Sequence, residues 1–428
     1  MSSWIDPQLI AILIFVATYL LIATGKREQT VAAMAGAIAV WAFQILTGDE
    51  ILHVIDLDTL GILFGMMIIV GALRESGFFR WMGILLANFC RCKPSRMFII
   101  FTITTAFLSA FLYNITTVLF IVVVTIEIME VLHLNPIPYV IGEILASNIG
   151  GTATMIGDPP NILISSAAGF TFLDFILNTM PICVVSLIIT TFMLYRYFFR
   201  REFQVTCDFI EVPINPRDVI QDQRLFKIGL MIFTAVIVLL FLQDRIRISP
   251  LTIVMVGGVC LLFVGGEKMP EVLEKVDWSI LIFLACLFII VGGLEKTGVI
   301  HLLASQLTPI IEYNNILAIS AILWVSSVAS AFIDNVPYSV AFIPILEDLI
   351  ATQSTLSDIA WWALALGTGF GGNGTVIGAA SNIVAIGIAS KMGYNITFKD
   401  FLKIGMITLL VTTAVANLYL LVHLLFFS

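Results

Sequence analysis

Charge is what this sequence has least of: 12% of its 428 residues are Asp, Glu, Lys or Arg, against 60% hydrophobic residues and a mean hydropathy of +1.06. A water-soluble domain needs a polar exterior that such a chain cannot supply, which excludes soluble enzymes and nucleic-acid-binding modules. Histidine is scarce too, with His53, His133, His301 and His423 all near the ends of apolar runs. The six cysteines are Cys90, Cys92, Cys183, Cys207, Cys260 and Cys286, and only the first two are close. No zinc or haem spacing, no HExxH and no serine–histidine arrangement occurs, so neither a metal, a cofactor nor a membrane-embedded enzyme is expected. No basic segment precedes the first apolar run and no small-residue cleavage site follows it, so no signal peptide is expected.

What is abundant is apolar sequence in runs of about 17 to 25 residues, the length that crosses roughly 30 Å of hydrocarbon. They recur from Leu9 to Phe427, and the chain reads as an all-α, multi-pass membrane protein. It is also internally repeated. GALRESG at Gly71 returns as GGLEKTG at Gly292, SAFLYN at Ser109 as SAFIDN at Ser330, and GGTATMIGDPPN at Gly150 as GGNGTVIGAASN at Gly371. The offset is 221 each time (292 − 71, 330 − 109, 371 − 150). An ungapped register kept through polar residues is not generic helix similarity, so the expected organisation is repeat 1 over 1–199, a linker over 200–224, and repeat 2 over 225–428.

Basic residues set the orientation. With the first span running inward, Lys26 and Arg27 are cytoplasmic and the acidic loop from Gly48 to Asp58 is external. Arg74, Arg80, Arg91, Lys93 and Arg96 then return to the inside, and the stretch between Arg80 and Arg91 is too short to span and reads as an interfacial arm. Only Arg245, Arg247 and Lys296 fall outside, leaving 18 of the 21 basic residues cytoplasmic, as the positive-inside rule requires. The linker is then cytoplasmic and both termini external. The run 97–132 must enter and leave on one side, with the polar centre FLYNITT, Phe111 to Thr117, as the tip of a re-entrant hairpin with half-length arms. Its counterpart is 316–350. Each unit has five spans plus a hairpin, an odd number, so the second copy is inverted, the plan of secondary transporters.

The span over 138–168 contains Gly150-Gly151, Gly157 and Pro159-Pro160, which break a helix at membrane depth; 360–390 is its counterpart. A break frees backbone carbonyls and exposes half-helix N-termini, which suits binding of a cation together with a polar or anionic solute. The candidate binding residues are Asn114, Thr116 and Thr117 at the first tip, then Asn148, Gly151, Thr152, Thr154, Asp158 and Asn161 at the first break. In the second repeat they are Asp334 and Asn335 at the tip, with Gly372, Asn373, Thr375, Ser381 and Asn382 at the break. Each repeat carries one carboxylate, in a different element: Asp158 aligns with Ala379, and Asp334 with Tyr113. Buried carboxylates in membranes are costly and mark ion pathways. Asp158 precedes a helical segment and also suits a structural N-cap, an alternative with less force for Asp334. No Lys or Arg lies in the four polar segments, so both carboxylates are expected to take up a coupling cation, H+ or Na+.

The block SNIGGTATMIGDPPN, with NITT upstream and a degenerate second copy, resembles the ArsB/NhaD permeases of the ion transporter superfamily: arsenite and antimonite efflux permeases, sodium/proton antiporters, the melanosomal P protein and plant silicon effluxers. Sodium-coupled divalent-anion symporters are more distant relatives on the same plan. The resemblance covers essentially the whole chain. It implies an elevator-like carrier in an inner or plasma membrane, in which each tip and break forms half of a solute and ion site. The polar run after the two glycines is closer to the arsenite-permease and P-protein branch than to the antiporters. Arsenite is an uncharged trihydroxide at neutral pH and suits a site of Asn, Thr and Ser; a carboxylate held by helix N-termini with sodium suits it as well. The expected partners are thus a small ion substrate, the coupling cation and the lipid bilayer, with no nucleic acid. The sequence does not decide between a cytoplasmic ATPase partner and a homodimer.

Overall fold

A computed structural model of the chain describes residues 6–24, 28–199, 215–266, 269–352 and 358–427. Among the described residues every regular element is a helix. In the first repeat these are α1 (Pro7–Thr24), α2 (Gln29–Ala42), α3 (Gly48–Val54), α4 (Leu57–Glu75), α5 (Phe78–Phe89), α6 (Pro94–Phe111), α7 (Asn114–Val131), α8 (Ile137–Gly151), α9 (Pro159–Ala168), α10 (Phe172–Asn178) and α11 (Met180–Phe199). The second repeat contains α12 (Gln223–Phe241), α13 (Gln243–Ile246), α14 (Pro250–Val264), α15 (Met269–Glu274), α16 (Trp278–Lys296), α17 (Val299–Tyr313), α18 (Asn315–Phe332), α19 (Asn335–Thr352), α20 (Ile359–Gly371), α21 (Ala380–Lys391) and α22 (Phe398–Phe427). The sequence offset holds at the level of elements: adding 221 to the bounds of α4, α6 and α7 gives those of α16, α18 and α19 to the residue.

The same local chemistry starts and stops the paired elements. Asp56 caps α4 by accepting from the amides of Asp58 and Thr59, and Asp277 caps α16 by accepting from that of Ile280. Both helices end before a glycine in the left-handed region, Gly77 at φ 89° and Gly298 at φ 79°, the usual way to close a helix and turn. At Gly77 a side chain would also sit 2.5 Å from the Val219 carbonyl. The end of the linker docks there, and the Gln221 amide donates to the Ser76 carbonyl at 3.0 Å. Residues 200–214 of the expected linker lie outside the described residues.

The repeats are interleaved by a two-fold exchange. Helix α4 packs on α14 while α16 packs on α2, and α7 packs on α21 while α19 packs on α9. Charged contacts fix the sense of that exchange. Glu75, the last residue of α4, accepts from the Lys275 ammonium just before α16 at 3.0 Å. Lys296, the last residue of α16, donates to both oxygens of Glu50, ahead of α4, at 2.6 Å. Each helix therefore ends where the other begins, so α4 and α16 are antiparallel and the repeats are inverted. Lys296 and the Thr47 cap hold the Glu50 carboxyl down to about 2, so this contact stays ionised over the physiological range. At the basic end, Arg80 pairs with Glu127 at 2.9 Å and Tyr394 donates to Glu130 at 3.3 Å.

One expectation changes. The hairpin arms α6 and α7 are 18 residues each, about 27 Å at 1.5 Å per residue, and not half-length. On length and composition alone they count among eight helices of the described residues that could cross a membrane. Burial decides otherwise: Leu112, Tyr113 and Asn114 at the tip are each 1–2% exposed, enclosed by protein as irregular backbone at that depth must be. The broken helices match expectation, with α8 and α9 separated at 152–158 and α20 and α21 at 372–379. Every residue from Pro138 to Gly151 and from Ile359 to Gly371 is buried.

With native cysteines removed, a cysteine at Gln221 and one at Lys296 should react with impermeant thiol reagents from opposite faces, Gln221 from the cytoplasm. Labelling of both from one face would overturn the inverted arrangement.

Candidate functional site

Each break is sewn to its own hairpin by the same pair of bonds in both repeats. Ser109 donates to the Ser147 carbonyl and Ser330 to the Thr368 carbonyl, both at 2.8 Å. Thr154 donates to the Ala110 carbonyl and Thr375 to the Ala331 carbonyl. Gly150 and Gly371 permit this, since a Cβ there would lie 2.1 Å from the Ala106 carbonyl oxygen and 2.5 Å from that of Ser327. Asn161 and Asn382 then brace the breaks. The Asn161 amide donates to the carbonyls of Gly151 and Thr154 at 3.1 and 2.7 Å, and that of Asn382 to Gly372 and Thr375 at 2.7 and 2.9 Å. Carbonyls freed by helix breakage are thus satisfied by side chains, as they must be where water is excluded.

Asn148 joins the two halves. Its carbonyl oxygen accepts from Asn114 and Ser381, both at 3.1 Å, and its amide donates to Asn373 at 3.2 Å and Asn382 at 2.9 Å. One side chain uses its full donor and acceptor capacity to bind the tip of its own hairpin and the break of the other repeat. Position 369, its equivalent, is glycine, because a Cβ there would fall 2.0 Å from the Thr152 hydroxyl.

The two carboxylates meet in one cavity of about 40 Å³, room for an ion or one to two waters. Asp158, Asp334, Asn114, Asn335 and Ser381 line it, with Gln29 of α2 and Phe283 of α16 closing it from the scaffold side. Asp158 stands at the N-cap position of α9 yet makes no capping bond; its carboxylate accepts from Asn335 of the other repeat at 2.7 Å. Asp334 is the one that caps, accepting from the Val336 amide at 3.1 Å through one oxygen. Its other oxygen is buried without a hydrogen bond of good geometry, and the Ala380 amide at the start of α21 faces the same carboxylate. The expectation that Asp158 had the stronger structural alternative is therefore reversed.

The first residues of α7, α9, α19 and α21 border the same cavity, a convergence that sequence reasoning missed. Four N-termini at about half a positive charge each offset much of the two carboxylates, so the absence of Lys and Arg does not leave them without compensation. The donors are unevenly placed. Helix α9 opens with Pro159-Pro160, which have no N–H, whereas α21 opens with Ala380-Ser381, which do. The cavity thus has an acceptor-rich side at Asp158 and Asp334 and a donor side at α21.

The remaining expected residues do not reach the cavity. Thr152 donates to the Asn148 carbonyl in its own helix at 2.7 Å, Thr117 is buried with an unpartnered hydroxyl, and Thr116 is half-buried outside the network. Gly151, Gly372, Asn373, Thr375, Asn161 and Asn382 build the wall behind it. Ser109, Ser147 and Gln29 were overlooked, although Ser109 and Ser330 stand in the repeated SAF motif and Ser147 aligns with the hydroxyl of Thr368. Glu143 was overlooked altogether: it is 0% exposed in α8.

Inverted, interleaved repeats with two broken helices and a small cavity between them that holds a carboxylate from each repeat define a multi-pass membrane transporter. The chain belongs to the citrate transporter family, whose profile matches residues 19–367. It is 39% identical over 426 residues to an uncharacterized transporter of Mycobacterium tuberculosis, covering 96% of this chain and 98% of that one. A 46 kDa membrane protein of Mycobacterium leprae is 36% identical at the same coverage. The P protein of Homo sapiens is 30% identical, and 96% of this chain spans 59% of its length. In fold it is similar to the YdaH transporter of Alcanivorax borkumensis, at TM-score 0.61 over 99% of both chains and 13% identity.

Replacing Asn148 by Ala should lower the stability of the purified protein by about 2 kcal/mol or more through its unsatisfied partners. Asn148→Asp should be at least as damaging, because it sets an oxygen against those of Asn373 and Asn382. Unfolding midpoints equal to wild type for both variants would show that the halves do not depend on this residue.

Proposed function

We propose that the protein is a secondary active carrier that exports a small oxygen-rich solute in exchange for protons, with Asp158 and Asp334 as the coupling carboxylates. The observation that carries this reading is the pairing of two buried carboxylates, one from each repeat, in a cavity sized for a cation. Neither has a Lys or Arg partner among the described residues. An ion channel would need a continuous polar path, and the polar groups here are confined to one small cavity between the tips and the breaks.

The solute is arsenite or antimonite on this reading, which also places the chain in the arsenite-permease and P-protein branch. An uncharged trihydroxide needs donors and acceptors without a fixed cation, and the second N–H of the Asn114 and Asn335 amides and the acceptor lone pairs of the Ser381 hydroxyl remain for it once their bonds to Asn148 and Asp158 are made. The family's description and the donor side at Ala380-Ser381 favour a second reading, a carboxylated anion. Its charge would face Asp158 and Asp334, so it would have to enter with protons or sodium between them. Sodium/proton antiport is the form this takes with no organic solute.

Transport is alternating access of the elevator type. The helices α1, α2, α4, α12, α14 and α16 pack with one another across the repeats and form the frame; the hairpins and broken helices form the mobile body. Gln29 and Phe283 of the frame line the cavity in the state described.

In proteoliposomes, an inward proton gradient should accelerate arsenite efflux, and Asp158→Asn and Asp334→Asn should each cut coupled flux at least tenfold while the proteins still insert and purify. Citrate uptake, sodium flux and lithium flux in the same vesicles separate the readings. Normal rate and normal pH dependence in both variants would remove these carboxylates from the mechanism.

A further inference from the structure

Helix α8 buries a third carboxyl, Glu143, that the site does not use. It lies eight residues before Gly151, about 12 Å along the helix, in the packing between the hairpin arms and α8. The Thr125 hydroxyl of α7 donates to one of its oxygens at 2.5 Å. The other oxygen is buried with no partner, and so is the hydroxyl of Thr102 on α6, which borders the adjacent Gly142.

The second repeat serves as an internal control. Adding 221 to 102, 125 and 143 gives Leu323, Leu346 and Leu364, each 0% exposed. The same α6–α7–α8 packing is thus built from three leucines in one repeat and from Thr, Thr and Glu in the other. The fold does not require polarity at these positions, and an unpaired carboxylate is costly to bury.

A small cavity of about 20 Å³ lies beside Thr125, walled mainly by apolar side chains such as Phe79, Met82 and Phe101, with Thr104, Thr105 and Thr125 as its hydroxyl residues. It has room for one water and sits beneath the interfacial helix α5. The chain carboxyl, Thr125 hydroxyl, cavity leads from Glu143 toward the basic end of the protein.

We propose that Glu143 is a proton-binding site of the mobile body, distinct from Asp158 and Asp334, loaded through Thr125 and the α5 cavity. Loading adds one proton to a carboxylate oxygen: the Thr125 hydroxyl passes its proton to that oxygen and takes one from a hydronium ion that reaches the cavity from the aqueous phase, leaving neutral water behind. Charged groups on the helices packed against α8 are Arg96 on α6, Glu127 and Glu130 on α7, and Arg196 on α11. Lys391 on α21 and Lys399, Asp400 and Lys403 on α22 complete the set; α20 carries none. None of them bonds to Glu143, whose sole hydrogen-bond partner among the described residues is Thr125.

The site rests on geometry separate from the coupling role given to Asp158 and Asp334, and its test does not need the transported solute. Infrared difference spectra of the full-length protein in lipid, recorded across a pH change, should show, beside the bands of Asp158 and Asp334, a protonated-carboxyl band that belongs to Glu143. Glu143→Gln should remove it, and Thr125→Val should shift it. The band should persist in Asp158→Asn and Asp334→Asn, so loss of it there alone would sink the central reading's independence from this one. Glu143→Leu, which copies the second repeat, should fold with unchanged helix content and also lack the band. Wild-type and Glu143→Gln spectra that coincide at all pH values would overturn the proposal.

Discussion

Broken backbone inside hydrocarbon has to find its hydrogen-bond partners within the protein, and the rest of this structure follows from that requirement. Each break frees carbonyls and amides that no water can reach. The answer is a set of short polar side chains placed identically in both repeats: Ser109 and Ser330, Thr154 and Thr375, Asn161 and Asn382. With the walls satisfied in this way, the remaining polar capacity can be turned inward. Asn148 spends its capacity on holding the two breaks together, and Asp158 and Asp334 are left facing a cavity.

Symmetry supplies the frame and departures from it supply the chemistry. The two-fold exchange of α4 with α16, and of hairpin arm with opposing half-helix, would by itself create a site with equivalent halves. The substitutions that break equivalence at the cavity are Asp158 against Ala379, Asp334 against Tyr113, Asn148 against Gly369, and the Pro159-Pro160 start of α9 against Ala380-Ser381. They convert a symmetric cradle into one with an acceptor side and a donor side. In the state described the space between these sides is about 40 Å³, enough for an ion or one to two waters.

The ungapped offset of 221 made much of this legible from sequence. Polar residues repeated in register, such as SAF with its following Asn, marked tips and breaks because nothing else explains their recurrence in a lipid-soluble chain. What stayed hidden depended on direction and distance. Asp158 precedes a helix and reads as a cap, but the hairpin tip of the other repeat offers it Asn335, and Asp334 takes the capping role. The convergence of four helix N-termini is a property of the assembled repeats that no local pattern encodes. The hairpin arms read as half-length because a polar tip divides one apolar run; only the burial of Leu112 to Asn114 tells a hairpin from two crossings. Glu143 passed as one charge in an apolar helix, and its meaning emerged when its counterpart proved to be Leu364.

The central claim is that carboxylates from both repeats share one cation site, so that solute movement is obligatorily tied to cation movement. The most direct measurement is the reversal potential of solute-driven current in proteoliposomes under opposed solute and cation gradients. The account predicts a reversal potential that shifts with the proton or sodium gradient at a fixed stoichiometry. Solute flux that stays constant when both cation gradients are collapsed or reversed would contradict it.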